Sequence, residues 1–115
     1  MKNHKDLDAW KMSIDLVADI YKITKKFPKD EIYGITSQLR RATLSIILNY
    51  VEGYGRRKTN VLKNFLEISY GSLKETKYLL EFSYKLNYYD KKDYDLSYLL
   101  TEKIGKMLWG ILEKL

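Results

Sequence analysis

The chain has 115 residues, 45% of them hydrophobic and 31% charged, with a formal net charge of +6 at neutral pH. This length predicts one domain, spanning residues 1–115, because two hydrophobic cores need a longer chain. With no cysteine and one histidine, the sequence excludes disulfide scaffolds, thiolate zinc sites and multi-histidine metal sites, so no cofactor or metal is expected.

The sequence carries no pattern typical of secretion or membrane insertion. The start, "MKNHKDLDAWK", is followed by no apolar core of a signal peptide. The longest charge-free run, "ATLSIILNYV", is far below the roughly 18 residues that a spanning helix needs. We therefore expect a cytoplasmic protein with no membrane partner.

The first predicted helix ends near the segment "FPKD", and its charged residues lie on one side. Apolar residues at spacings of three and four predict the opposite, core-facing side. This predicted core side consists of Leu7, Trp10, Ile14, Val17, Tyr21 and Thr24.

The second predicted helix, from Asp30 or Thr36 to about Gly55, is apolar on two sides. Its predicted inner stripe is Ile35, Leu39, Ala42, Ile46, Asn49, Tyr50 and Gly53. Its outer face includes Leu44, Ile47, Leu48 and Val51. A helix that is apolar all round is usually covered on both sides, so we predict a subunit interface at this outer face. A chain terminus folded over it is the alternative.

Two further helices complete the predicted fold. The third starts after Thr59, a predicted N-cap, and ends at "LNYYDKK"; the fourth starts at about Asp93. Their predicted inward residues are Leu62, Phe65, Leu66, Ser69, Leu73, Thr76, Leu80 and Ser83, then Ser97, Leu100, Ile104, Leu108, Ile111 and Leu115. Short connections force neighbouring helices to run antiparallel, so we predict an all-α, up-down-up-down four-helix bundle.

The positive charge is concentrated in the middle of the chain. Between Thr36 and Lys63 six cations face one acid, Glu52, and all four arginines lie in this stretch. The planar donor fork of arginine suits phosphate and carboxylate partners. The candidate binding residues are Arg40, Arg41, Arg56, Arg57, Lys58 and Lys63.

The stretch "EGYGRRKT" allows two interpretations. It lacks the strand and glycine spacing of a Walker A loop. In the first interpretation, glycine ends one helix, the cations complement its negative end, and Thr59 caps the next helix. That account does not explain why three consecutive cations precede the positive end of the following helix, where anions are favoured. In the second, free N–H groups and guanidinium groups together bind phosphate.

Other candidate sites are less favoured. His4 has no obvious nucleophile or orienting partner and is expected to be a surface residue. Asn49 and Glu52 lack the Glu-x-x-His pairs of di-iron bundles and are expected to hydrogen-bond to helix ends or loops. The eleven tyrosines fall on several faces, which favours packing at the edge of the core over stacking on bases. We expect no catalytic residues.

Three segments carry a resemblance to a known family: "DLDAWKMSIDLVADIYKITKKFPKDEIYGITSQLRRATLSI", "NYVEGYGRR" and "FLEISYGSLKETKYLL". They closely resemble the bacterial four-helix-bundle proteins encoded within intervening sequences of 23S ribosomal RNA genes. The resemblance implies a homo-oligomer, a pentamer, without catalytic activity. Distant relatives act as accessory proteins to the reverse transcriptases of diversity-generating retroelements, binding nucleic acid and the polymerase.

The chain departs from the family pattern at "SIILNYVEG", where Ile47 and Leu48 replace a proline and a serine. Without the proline ring we expect a straighter second helix with a more apolar outer face. This change affects the subunit number that the resemblance implies.

Two functions remain open at this point. The first is a non-enzymatic, RNA- or DNA-binding homo-oligomer. The second is a protein-interaction module that contacts an acidic partner, such as a polymerase, without binding nucleic acid.

Overall fold

The computed structural model describes residues 4–115, with side chains from residue 6 onward. Four helices follow one another: α1 (His4–Thr24), α2 (Ile35–Tyr54), α3 (Thr59–Lys85) and α4 (Lys91–Glu113). A single 3-10 turn, Lys29–Glu31, lies between α1 and α2. Residues 4–115 contain no strand.

The helices form a bundle in which each one packs against two neighbours. α1 contacts α2 and α4, and α3 contacts α2 and α4, with the most extensive packing between α2 and α3. Contacts between opposite ends, such as Asp6 with Tyr50 on α2 and Lys26 with Asp93 on α4, show antiparallel neighbours. The predicted all-α, up-down-up-down four-helix bundle is confirmed.

The predicted core faces of α2, α3 and α4 are largely confirmed, because large aliphatic residues recur there with helical spacing. Their shared property is near-complete burial, seen at Leu39, Ile46, Leu66, Leu73, Leu80, Ile104 and Leu108. Leu115 is the exception, since it follows the end of α4 and is 40% exposed.

The predicted core face of α1 is largely wrong. Leu7, Ile14 and Tyr21 are exposed, whereas Thr24, which was also predicted to face the core, is buried. The other core residues of the helix lie on a different stripe: Ala9, Ser13, Leu16, Ile20 and Ile23. The helix carries two apolar stripes, and the one that faces the bundle combines Leu16, Ile20 and Ile23 with the small residues Ala9 and Ser13. A small residue such as Ser13 is tolerated there because its hydroxyl donates to the Ala9 carbonyl, 2.7 Å away.

Hydroxyl side chains are common in the core. Nine buried residues are serine or threonine, and several of them donate to the carbonyl one helical turn earlier, as Thr43 does to Leu39. Ser69 instead crosses between helices and donates to the Ile46 carbonyl on α2. No buried side-chain polar atom of the described residues lacks a partner, so these groups are accommodated at little cost.

The α3–α4 connection ends one helix and caps the next. Asn87 takes a positive φ of 62° just after α3, a conformation that asparagine tolerates better than most residues. The Asp90 side chain accepts from the Asp93 N–H and caps α4. The cap places the start of α4 at Lys91, slightly before the predicted Asp93.

Tyrosines gather mainly where helices meet at the ends of the bundle. Tyr84 stacks on Tyr94 with ring centroids 4.4 Å apart, and Tyr89 and Phe27 lie in the same cluster. At the opposite end Tyr50 is fully buried and contacts Tyr54. These positions agree with packing at the edge of the core.

Candidate nucleic-acid interface

Close helix contact explains the first glycine of "EGYGRRKT". A Cβ on Gly53 would lie 3.0 Å from the Phe65 Cβ and 3.1 Å from the Leu62 Cδ1. Side chains at this position would therefore push α2 away from α3. Gly53 brings the two helices together just before the basic residues.

The α2–α3 connection is short and differs from the predicted capping. Gly55 ends α2 with a negative φ of −82°, so its left-handed freedom is not used. Lys58, in an extended conformation, occupies the N-cap of α3 and makes no side-chain cap hydrogen bond. The prediction of Thr59 as N-cap is wrong, because Thr59 is already the first helical residue.

Arg56, Arg57 and Lys58, together with the start of α3, form what we term the basic junction. Arg56 pairs with Glu52 one turn earlier, and its guanidinium lies 5.2 Å from the Phe65 ring centroid. Arg57 and Lys58 are exposed, and neither forms an ion pair within the described part of the chain. Two of the three cations thus have no partner of opposite charge there.

A small cavity of about 170 Å³ lies at the basic junction. Its lining residues come from α1, α2 and α3: Asp6, Tyr54, Arg56, Arg57, Lys58, Thr59 and Leu62. Burial raises the pKa of the Tyr54 hydroxyl, and a hydrogen bond with Asp6 adds to the effect. The phenol is therefore neutral at physiological pH, and the charged residues of the lining are three cations and one acid, Asp6.

The six predicted binding residues do not form one site. Arg40 and Arg41 lie in the first half of α2, about 20 Å along the helix from its last residue, Tyr54, at 1.5 Å per residue. Arg40 is half-buried: its Nε donates to the Thr24 hydroxyl at 2.9 Å, and its guanidinium lies over the Tyr21 ring. Arg40 therefore joins α1 to α2, whereas Arg41 is exposed.

Lys63 lies on α3 beyond the basic junction. It is exposed and lines a cavity between α3 and α4 together with Tyr70 and Trp109. The structure thus places Lys63 at the border between the basic junction and the α3–α4 face. The sequence analysis did not identify Trp109 as a candidate residue. Its exposure, unusual for a tryptophan, is visible only in the structure.

The outer face of α2 is partly exposed, as predicted. Leu48 is 62% and Val51 46% exposed, whereas Leu44 and Ile47 are half-buried. Because moving an apolar side chain out of water lowers the free energy, a further contact at this face would be favourable.

The second apolar stripe of α1 runs beside this face of α2. Tyr21 contacts Arg40 of α2, and Leu7 and Ile14 precede it at steps of seven residues, which keeps them on the same side of α1. We term the combined area the outer apolar surface. It consists of Leu7, Trp10, Ile14, Val17 and Tyr21 on α1, and Leu44, Ile47, Leu48 and Val51 on α2.

The family of the chain follows from comparison with known proteins. The family model described as "23S rRNA-intervening sequence protein" matches residues 5–110. The chain belongs to this family. The resemblance that the sequence segments carry is thereby confirmed.

A solved structure has the same fold as this intervening-sequence protein. A protein with unknown function from the S23 ribosomal protein family of Bacteroides thetaiotaomicron VPI-5482 matches it with a TM-score of 0.88 and 22% sequence identity. The match covers 96% of this chain and 99% of that chain. At this identity the likeness shows the fold alone. No curated protein matches the sequence.

The remaining candidate residues of this intervening-sequence protein have structural contacts or lie outside the described side chains. Asn49 donates to the carbonyl and hydroxyl of Ser45 within α2, and not to a helix end or loop as predicted. Glu52 pairs with Arg56. The side chain of His4 lies outside the described residues.

The described part of the chain contains neither a cluster of metal-ligating side chains nor a helix that could cross a membrane. Among the side chains of residues 6–115, no three or more His, Cys, Asp or Glu lie together as a metal site would require. Within the same range, every helix is too short or too polar to cross a membrane.

Proposed function

We propose that this intervening-sequence protein is a non-enzymatic homo-oligomer that binds the phosphate backbone of RNA or DNA through the basic junction. The observation that carries the proposal is the exposure of Arg57 and Lys58 at the start of α3, where neither forms an ion pair with an acid of the described residues. Cations with no ion partner are free to neutralise phosphates. The nucleic acid then releases the counterions that were condensed on those phosphates, which favours binding.

The start of α3 supports the same function. The first N–H groups of a helix have no intrahelical partners, and the helix dipole favours an anion there. The N-cap Lys58 supplies no side-chain acceptor. The Val61 and Leu62 N–H groups donate to the Lys58 carbonyl, so the N–H groups of Thr59 and Asn60 are the ones available to a phosphate oxygen. Cationic side chains and helix N–H groups would act on the same ligand.

Self-association would strengthen an otherwise modest site. Burial of the outer apolar surface between subunits would favour their association, and the family resemblance implies a pentamer. Repeating the basic junction around a ring lets one nucleic acid contact several subunits, which raises the effective concentration of each further contact.

The test replaces Arg56, Arg57 and Lys58 by glutamine and measures nucleic-acid affinity across salt concentrations. We expect weaker binding to unrelated sequences alike, because backbone contacts carry no base information. For duplex DNA, the slope of log affinity against log salt should fall by up to roughly 2.7 per engaged subunit, at about 0.9 per lost phosphate contact. Solution mass, measured on the same samples, verifies that the variant assembles as the parent does.

A matched control separates the basic junction from net charge. Replacing Lys11, Lys22 and Lys103 by glutamine removes the same charge from exposed positions elsewhere and should leave most of the affinity. If the junction variant binds like the parent at every salt concentration and only melts slightly earlier, these residues serve the helix ends alone. If the parent itself is not retained on nucleic acid at low salt, the protein-partner hypothesis replaces this one.

A further inference from the structure

An open groove runs between α3 and α4, beginning near the basic junction. Two adjoining cavities, of about 410 and 340 Å³, form it. We term it the α3–α4 groove. Both cavities share Tyr70, Trp109 and Glu113, so these residues stand at its middle.

The centre of the groove is an exposed aromatic pair. Trp109 is 53% exposed, and its ring centroid lies 5.8 Å from that of Tyr70 at an angle of 47°. Tryptophan in a helix usually buries its large apolar area. Trp109 instead presents about half of its surface to solvent, in the lining of both cavities.

Lysines surround the aromatic pair. Lys63 lines the cavity next to the basic junction, and Lys74, Lys77 and Lys106 line the other. Lys74 lies 5.2 Å from the Tyr70 ring centroid, while Lys77 is paired with Glu102. Lys63, Lys74 and Lys106 form no ion pair within residues 6–115.

Acidic residues also line the groove, and their presence restricts the class of ligand that the groove can bind. Glu67, Glu102 and Glu113 are lining residues. A ligand that suits both charges has anionic groups for the lysines and N–H donors for the carboxylates. Nucleotides meet this requirement, because phosphates are anionic and base edges carry amino groups.

A glycine on α4 leaves the groove open where a side chain would otherwise project into it. Gly110 lines the groove, and a Cβ there would meet nothing within 4 Å. Packing within the chain therefore does not require glycine at this position, although glycine costs up to about 1 kcal/mol relative to alanine in a helix interior. The missing side chain leaves room beside Trp109 for a ligand.

We propose that Trp109 and Tyr70 form a stacking platform for an unpaired base of single-stranded nucleic acid. The strand runs from the basic junction past Lys63 into the α3–α4 groove, so this inference rests on the proposed function and specifies its ligand. Bases in a duplex are already stacked and cannot reach the platform. A bound peptide helix would need a row of apolar pockets, whereas this groove offers one aromatic platform between charged residues.

Fluorescence of Trp109 provides the direct test. In a Trp10→Phe background Trp109 is the remaining tryptophan of the chain. Titration with an unstructured single-stranded oligonucleotide whose bases carry amino groups, such as oligo(dC) at neutral pH, should quench its emission. A duplex of equal length should bind the basic junction and leave the Trp109 emission nearly unchanged.

Affinity measurements test the energetic role of the platform. Trp109→Ala should weaken single-strand binding by roughly 5- to 150-fold, the loss expected for one stacked base, with duplex binding unchanged. Trp109→Phe should recover part of the loss, because it retains an aromatic face. Leu99→Ala is the matched control, since Leu99 is 49% exposed on α4 and does not line the groove.

A glycine pair adds a second variant that preserves the fold. Gly110→Ala should raise thermal stability and weaken single-strand binding, because its methyl group enters the groove. Gly71→Ala should raise stability as well and leave binding unchanged, since Gly71 also meets nothing within 4 Å but lies outside the groove lining.

The outcomes distinguish this inference from the proposed function. If the parent binds nucleic acid but Trp109→Ala binds single strands equally well, the stacking platform is wrong and the basic junction stands. Binding without quenching of Trp109 leads to the same conclusion. If the parent binds neither single strands nor duplexes, both proposals fail.

Discussion

Gly53 sets the distance between α2 and α3 through a missing methyl group. Because an added Cβ would approach Phe65 and Leu62 to 3.0 and 3.1 Å, Gly53→Ala should overpack this contact. Overpacking costs about 1–3 kcal/mol, and the better helix propensity of alanine returns up to about 1 kcal/mol. We expect a net loss of unfolding free energy, measured by urea denaturation.

The matched control for this prediction is Gly71→Ala on α3. Nothing lies within 4 Å of its added Cβ, so helix propensity alone should act and stabilise the protein by up to about 1 kcal/mol. Two glycine-to-alanine changes should thus have opposite signs. Equal stabilisation by both would contradict the close approach at Gly53.

Asp19 is a second residue with a distinct energetic signature. Burial raises the pKa of its carboxyl group, while a hydrogen bond from Ser97 opposes the shift and nearby Asp93 adds to it. Asp19→Asn keeps an acceptor for Ser97 and removes the buried charge. The variant should therefore melt at a higher temperature than the parent at pH 7.

The sign of the pH dependence follows from the direction of this shift. The folded parent binds a proton at Asp19 more readily than the unfolded chain, so the parent gains stability as pH falls through the raised pKa towards 3.8. The advantage of Asp19→Asn should shrink over that window.

Lys26 lowers the pKa of Asp93, so Asp93→Asn should instead destabilise the protein at pH 7, and this effect should fade at acid pH. Thermal melts between pH 3 and pH 7 measure both differences.

At the scale of the helices, the bundle depends on a few large aliphatic residues. Leu73 and Ile104 are 2% and 0% exposed, so Leu73→Ala and Ile104→Ala should each cost about 2–5 kcal/mol. Leu99→Ala, at an exposed position of α4, should cost far less. Denaturant midpoints compare the three variants, and a loss below about 0.5 kcal/mol at both core sites would contradict their burial.

The helices differ in how well the sequence predicted them. On α3 and α4 charged residues interrupt the apolar residues outside the core stripe, such as Ile68 and Leu99, so periodicity sufficed to identify the core. On α1 two stripes competed, and preference for large residues favoured Leu7 and Ile14 over Ala9 and Ser13. The buried stripe holds Leu16, Ile20 and Ile23 beside Ala9 and Ser13, and periodicity alone does not reveal which of two stripes packs against the neighbouring helices.

The candidate site was less predictable than the fold. Local charge identified Arg57 and Lys58, which are exposed. Arg40 appeared equivalent in sequence, yet its contact with Thr24 comes from packing between α1 and α2. Trp109 and Tyr70 are 39 positions apart along the chain and lie on different helices, so their pairing required the bundle itself.

For the whole molecule, the outer apolar surface should control self-association. Leu48→Glu on α2 and Ile14→Glu on α1 each place a charge in this surface, and both variants should form smaller species that remain helical. Leu48 and Ile14 are 62% and 41% exposed, so the subunit itself tolerates the change. Light scattering gives the mass and circular dichroism the helix content.

The matched control is Leu99→Glu, which adds the same charge to an exposed site on α4. It should retain the solution mass of the parent. If Ile14→Glu assembles normally and Leu48→Glu does not, the interface is confined to α2. If both assemble normally, the subunits contact each other elsewhere.

The order of contacts along the chain has a consequence for folding kinetics. α2 and α3 pack most extensively and are joined by the short segment 55–58, so little loop entropy is lost when they meet. α1 and α4, in contrast, meet only after most of the chain has been brought together. The α2–α3 hairpin can therefore form early and act as a template on which the two outer helices dock. The basic junction and the Gly53 contact belong to this early unit, so the proposed binding site would take shape before the bundle closes.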